Sequence, residues 1–163
     1  MQEMLRILPV DYQNPEHADA LLKLLNHYAQ DPMGGGEALS DDTKANLIAE
    51  MAKRPTVFSF IAWDDHAGAV GLINCVEGFS TFAAKPICNL HDIAVLDGQR
   101  GKGIGQHLIA AAAEEARKRG CVKLTLEVLS GNEPARLAYL KYGFKPYQLD
   151  PEMGAAEFWE YKL

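Results

Sequence analysis

Cysteine is scarce in this 163-residue chain, with three residues, Cys75, Cys88 and Cys121. None belongs to a C-x-x-C pair and the number is odd, so neither a disulfide framework nor a thiolate metal site is indicated. Buried, reduced, structural thiols are expected. A cysteine nucleophile needs a positioned base, and no base stands near any of the three in sequence. The five histidines show neither H-x-x-x-H nor H-E-x-x-H spacing, so no metal is expected. Positive charge is also in the minority. Sixteen Lys and Arg against 22 Asp and Glu leave a net charge of −6, which argues against general nucleic-acid binding. No apolar run approaches the about 18 residues of a membrane span. The opening MQEMLRILPV is too short and too polar for a secretory leader. Repeats, low-complexity tracts and linkers are lacking. The expectation is one domain, residues 1–163, located in the cytoplasm, of a size that buries about 70% of its unfolded surface.

What is present is a regular succession of elements. Residues 4–8 read as a strand. Asn14 caps a helix with Pro15 at its first position, and Leu21, Leu24, Leu25 and Tyr28 line one face. The run Asp31-Pro32-Met33-Gly34-Gly35-Gly36 breaks it. Ser40 opens a second helix, with Leu47, Ile48 and Met51 inward. Val57–Trp63 and Ala69–Glu77 read as an antiparallel hairpin around the turn 64–68. A loop, Gly78–Pro86, leads to a strand at Ile87–Leu96, then a helix at 104–119. Val122–Leu129 reads as a strand, Asn132 opens a short helix, and Glu157–Lys162 is expected to close the sheet. The order is β-α-α-β-β-β-α-β-α-β.

The most informative segment is VLDGQRGKGIGQHL, Val95–Leu108. An apolar strand runs into glycines at alternate positions, Gly101, Gly103 and Gly105, and a helix begins at once. Glycine permits positive φ and close approach of backbone to a ligand. A glycine loop opening a helix aims N–H groups and the positive end of the dipole at an anion. Arg100 and Lys102 add charge, so capture of a phosphate or pyrophosphate is implied. The segment lacks the Ser or Thr that a GxxxxGK[ST] phosphate loop requires, and its G-x-G-x-G lies mid-chain without the acidic residue of a dinucleotide fingerprint.

The arrangement Arg100-x-x-Gly103-x-Gly105 after a strand ending at Val95 resembles the acyl-CoA loop of the Gcn5-related N-acetyltransferase (GNAT) superfamily. Residues 126–147, LEVLSGNEPARLAYLKYGFKPY, resemble the second cofactor motif of that superfamily. Asn132 suits a helix N-cap, Gly143 suits the residue past the helix end, and Phe144 is placed to fold back. Tyr139 lies seven residues after Asn132, on the same helical face. The resemblance is close over residues 88–147. It implies an α/β (α+β) GNAT fold: a mixed, mostly antiparallel, splayed sheet of six to seven strands flanked by about four helices. It also implies acetyl-CoA or coenzyme A as cofactor, bound by Ile93, Ala94, Val95, Arg100, Gly101, Lys102, Gly103, Ile104, Gly105, Asn132, Ala135 and Tyr139.

The reaction implied is transfer of an acetyl group to a primary amine. An amine of pKa near 10 must lose a proton before it attacks, and the leaving thiolate must be protonated or stabilised. Tyr139 occupies the family's position for the acid. His91 matches a position where arylalkylamine N-acetyltransferases carry a histidine, and histidine titrates near neutral pH. Glu127 is the second candidate base. Simple alternation puts Asn89, His91, Ile93 and Val95 on one face of the strand, with Asp92, a third candidate, and Ala94 on the other. Tyr28, Asp31, Met33, Phe79, Phe82 and Asn89, with Glu37, are candidates for holding an ammonium group by charge and cation–π contact. A small diamine-, polyamine- or arylalkylamine-like substrate is favoured over a protein or peptide amine, or over a catalytically silent acyl-CoA-binding module. Partners beyond the amine are not indicated. Dimers are common in the family, and Asp150–Leu163 is the segment suited to a homodimer edge.

Overall fold

The computed structural model describes residues 4–147 and 149–163. The first three residues of the N-terminal reading above lie outside that range. The chain divides into two compact units, Met1–Leu129 and Ser130–Leu163.

The first unit is a five-stranded sheet in sequential order. Its strands are β1 (Leu5–Pro9), β2 (Val57–Asp64), β3 (Gly68–Ser80), β4 (Lys85–Val95) and β5 (Leu124–Leu126). The first three pairings are antiparallel, and β4 with β5 is parallel. Helices α1 (Pro15–Gln30), α2 (Asp41–Ala52) and α3 (Ile104–Lys118) cover it. The helix starts follow the local chemistry. Asn14 Oδ1 accepts from Glu16 N at 2.9 Å, Pro15 fills the first turn, and Ser40 Oγ accepts from Thr43 N at 3.1 Å. The β2–β3 turn is held by Asp64, whose carboxylate accepts from His66 N and Ala67 N.

The two sheet faces differ. Ala20, Leu21 and Leu24 of α1 and Met51 of α2 pack on Ile61 and Leu72. On the other face, α3 buries Ile104, Leu108, Ile109, Ala112, Ala113 and Ala116. It comes so close that a Cβ on Gly71 would stand 2.9 Å from Ile104 Cγ2 and 3.1 Å from Leu108 Cδ1. Arg119, just past α3, lies 4.2 Å from the centroid of the Phe58 ring and pairs with Glu115 and Glu77. Cys75 and Cys88 are fully buried in this layer. Their mutual hydrogen bond and burial hold the Cys75 thiol far above its usual range.

Polar side chains cross the α1/α2 face in a line. Ser59, Asn74 and Asp92 are neighbours in register on β2, β3 and β4. Ser59 Oγ donates to Asn74 Oδ1 at 2.6 Å, and Asn74 Nδ2 donates to Asp92 Oδ2 at 3.1 Å. Since the one Ser59 proton is committed, the Tyr12 hydroxyl, 2.8 Å away, is the donor to Ser59. Burial raises the Tyr12 pKa above its usual range, so the phenol keeps that proton. Every donor in the line points toward Asp92.

Three sequence expectations need correction. The loop expected at Gly78–Pro86 is mostly strand: β3 runs to Ser80, β4 starts at Lys85, and only Thr81–Ala84 turns, with Ser80 Oγ accepting from Ala83 N. The strand expected over Val122–Leu129 shortens to Leu124–Leu126. The strand expected at Glu157–Lys162 is absent, so the described sheet has five strands rather than six or seven. A strand persists only with a partner and one apolar face, and the adjacent Phe158 and Trp159 break the alternation that would give such a face. Both are exposed.

The second unit contains α4 (Glu133–Tyr142) and a short 3₁₀ turn, Pro151–Met153. Asn132 Oδ1 caps α4 through Ala135 N at 3.3 Å, and Gly143 ends it at φ 123°.

Asn74 is nearly fully buried, and its amide satisfies a hydroxyl and a carboxylate at once. Asn74→Ala is therefore expected to lower stability by about 1–3 kcal/mol in urea unfolding. A change below about 0.5 kcal/mol would mean that the polar line contributes nothing to stability.

Candidate active site

The site in the first unit begins with a strand that loses one neighbour. β5 pairs with β4 only at Cys88, Asn89 and Leu90. Beyond Leu90 no described strand covers that edge of β4. Its other edge remains paired with β3 up to Gly71–Val95.

A β-bulge coincides with the change. Cys75 pairs with Leu90 and Asn74 with Asp92, so His91 is the extra residue. The bulge shifts the parity of all that follows. Before it, Cys88 N donates to Lys123 O, and Pro86 O accepts from Val122 N, so even-numbered residues face β5. After it, Leu96 N donates to Val70 O, which assigns the even-numbered residues to β3. Ile93 and Val95 therefore turn their backbone N–H and C=O groups to the bare edge. The Val95 carbonyl accepts from Arg100 Nε at 3.4 Å, in keeping with that direction. The backbone of Ala94, also a candidate contact, turns toward β3, and its side chain is buried.

The same shift corrects the expected side-chain faces. Asn89 shares its face with Asp92 and Ala94, while Ile93 and Val95 share theirs with Cys88 and Leu90. Asp92 is thus not on the far side from Asn89. His91 is exposed at the bulge, with Nδ1 3.3 Å from Asn89 Oδ1. Asn89 Nδ2 in turn faces β5, 3.1 Å from Thr125 Oγ1 and 3.5 Å from the Thr125 carbonyl. Glu127 is exposed just past the end of β5.

From Val95 the chain enters the glycine loop. Gly98, Gly101 and Gly103 all have φ near +80°, a region that other residues enter at a cost. Gly103 is the N-cap of α3 and has no side chain with which to bond the first turn. A Cβ at Gly101, Gly103 or Gly105 would meet no protein atom within 4 Å. The loop surface is therefore open, and the helix dipole adds positive potential there. Arg100 lies 3.4 Å from Asp97 and 3.9 Å from Asp31, and Lys102 Nζ donates to Gln99. A nucleotide pyrophosphate fits this chemistry: open N–H donors, two cations and no side-chain obstruction.

The expected amine-binding residues divide into two groups. Tyr28 and Asp31 lie together at the end of α1, where Asp31 N donates to Tyr28 O and Asp31 Oδ1 accepts from Met33 N. Burial raises the Tyr28 pKa, and the charges of Asp92 and Asp31 raise it further. That places the phenol within the field of both carboxylates. Met33 and Glu37 are exposed nearby in the chain. Phe79 and Phe82 stand exposed at the β3–β4 hairpin tip. Phe79 is five register positions from Asn74, about 17 Å along the sheet at about 3.4 Å per residue.

In the second unit, Tyr139 is half-buried on α4. Its ring is 6.0 Å from that of Phe144, which folds back over the helix end through Phe144 N to Tyr139 O. Asn132 and Ala135 are joined by the cap described above.

Sequence reasoning passed over Tyr12, Ser59, Asn74 and Thr125. The available signal was a single polar residue within each apolar strand, VFSFIAW and GLINCV. Among the described residues, no group of three or more His, Cys, Asp or Glu gathers as metal ligands would, and no helix is long and apolar enough to cross a membrane.

Comparisons with known proteins agree with this geometry. Residues 18–144 match the acetyltransferase (GNAT) family. A streptothricin acetyltransferase of Streptomyces lavendulae is 40% identical over 100 residues, covering 58% of this chain and 53% of that protein. The chain thus matches about half the length of that relative. An aminoalkylphosphonate N-acetyltransferase of Salmonella typhimurium is 26% identical over 144 residues, 88% of this chain and 89% of that one. Among solved structures, the aminoglycoside N-acetyltransferase AAC(6')-Iy in complex with CoA superposes with a TM-score of 0.74 at 19% identity, covering 100% of this chain and 97% of that one. That likeness speaks to the fold. With a β4 edge left unpaired beyond Leu90, a glycine loop opening α3 and a family match across most of its length, the chain belongs to the acetyltransferase (GNAT) family.

Proposed function

We propose that this protein transfers an acetyl group from acetyl-CoA to a primary amine on a small polar molecule. The observation that carries the proposal is the bare edge of β4 leading directly into the open glycine loop. When bound, acetyl-CoA supplies the acyl thioester. Ile93 and Val95 offer strand-like backbone bonds to an extended chain, and the N–H groups of Arg100, Gly101, Lys102, Gly103, Ile104 and Gly105 suit a pyrophosphate. Cofactor roles for Asn132 and Ala135, and proton donation to the departing sulfur by Tyr139, rest on the second motif and the way α4 is capped. The family match runs across the boundary between the two units, which supports a single acetyltransferase domain.

His91 is the proposed proton acceptor, with Nε2 taking a proton from the substrate ammonium; Glu127 is the second candidate. Asp31 and Asp92 supply a negative field around the neutral Tyr28 phenol that suits a cation. Two relatives bear names that specify small acceptors, streptothricin for an acetyltransferase and aminoalkylphosphonate for an N-acetyltransferase. These favour a small polar amine over a protein lysine.

Thiol release from acetyl-CoA tests this with polyamines, arylalkylamines, amino acids, aminoglycosides and a lysine peptide as acceptors. Turnover is expected with a small amine. His91→Ala and Tyr139→Phe should each lower kcat at least tenfold, within the range of one proton transfer. Turnover with the lysine peptide alone would overturn the substrate class, and unchanged kcat would remove the residue concerned from the mechanism. The loop has its own test. A Cβ at Gly105 meets nothing within 4 Å beyond its own stretch of helix, so Gly105→Val should leave the melting temperature nearly unchanged. Calorimetric titration should show coenzyme A binding weakened at least tenfold, about 1.4 kcal/mol. Equal affinity would place the cofactor elsewhere.

A further inference from the structure

Asn89 was expected to touch substrate, yet both ends of its amide are committed within the protein. The end facing β5 lies 3.5 Å from the Thr125 main-chain oxygen, an atom that only accepts, and 3.1 Å from Thr125 Oγ1. That end is therefore the NH₂ group, and Oδ1 is left facing His91 Nδ1 at 3.3 Å. Oδ1 also only accepts, so the ring nitrogen facing it carries the proton. In a neutral imidazole the other nitrogen, Nε2, then holds the lone pair. The two residues are brought together by the bulge. Asn89 sits at the middle of the three-residue β4–β5 pairing, and His91 stands out one residue beyond its end.

We infer that Asn89 is a positioning residue, which Thr125 orients so that it holds His91 in the Nδ1–H tautomer with Nε2 free to accept a proton. This rests on the reading of His91 as the base and deepens it. The proton balance is simple: R–NH₃⁺ gives a proton to Nε2, leaving a neutral amine and an imidazolium whose Nδ1–H still bonds Asn89. The imidazolium returns the proton to solvent. With Nε2 protonated instead, the ring would turn a donor toward the ammonium and accept nothing from it.

The imidazole tautomer is read directly by two-bond ¹H–¹⁵N correlation spectra of the ¹⁵N-labelled free protein at alkaline pH. The wild type is expected to show Nδ1–H. Asn89→Leu, similar in size but without an acceptor, should lose that preference and lower kcat at least tenfold, with KM for acetyl-CoA within twofold. Asn89→Asp keeps an acceptor for Nδ1–H but loses the donor to the Thr125 carbonyl, so it should recover the tautomer and the turnover in part, above Asn89→Leu. An Nε2–H tautomer in the wild type, or full turnover in Asn89→Leu, would overturn the inference. His91→Ala separates the two claims. If it is inactive while Asn89→Leu is fully active, the base stands and the positioning role falls. If His91→Ala is fully active, both fall.

Discussion

The bare edge of β4 beyond Leu90 is the constraint from which the remaining features of the site follow. A strand with one side unpaired in a sheet interior leaves backbone donors and acceptors that need partners. Here the edge is short, and it is created by the end of β5 and the bulge at His91 acting together. The bulge turns Ile93 and Val95 to the opening instead of Asp92 and Ala94. It also projects His91 at the point where the two strands part. The edge proposed for the cofactor and the residue proposed as base thus depend on one inserted residue.

Electrostatics join the loop to the end of α1. Arg100 is shared between Asp97 and Asp31, and Asp31 also caps the turn that follows α1. An anion at the loop competes with those carboxylates for Arg100. The pairs are largely exposed, so each contributes little to stability and exchanges readily. Deeper in the sheet the position of Asp92 is fixed differently, by a line of buried donors that begins at Tyr12. Rigid support thus lies under the sheet, while the adaptable charges lie at its rim.

Much of this was legible in the residues. The caps at Asn14, Ser40 and Asn132, the glycine at Gly143, and the alternate glycines before α3 are local signals, and each formed the element expected of it. The bulge was not legible, because register belongs to a pair of strands, and nothing within NLHDIAV records where β3 skips a residue. The strict alternation inferred for that strand therefore failed one residue before Asp92. The strand expected at Glu157–Lys162 failed for a related reason: its β-forming aromatics supply propensity, but pairing is a property of the partner. Phe79 and Phe82 read as amine-binding because they are aromatics in a segment that precedes the cofactor strand. Within a hairpin they are carried to its tip.

Backbone amide shifts during titration of ¹⁵N-labelled protein with coenzyme A test the central claim most directly. Recognition by the bare edge and the glycine loop predicts that the largest changes fall on Ile93, Val95 and residues 100–105, with Asp92 and Ala94, whose amides face β3, moving less. Changes confined to the β3–β4 hairpin tip or to β1 and β2, with residues 93–105 silent, would contradict it.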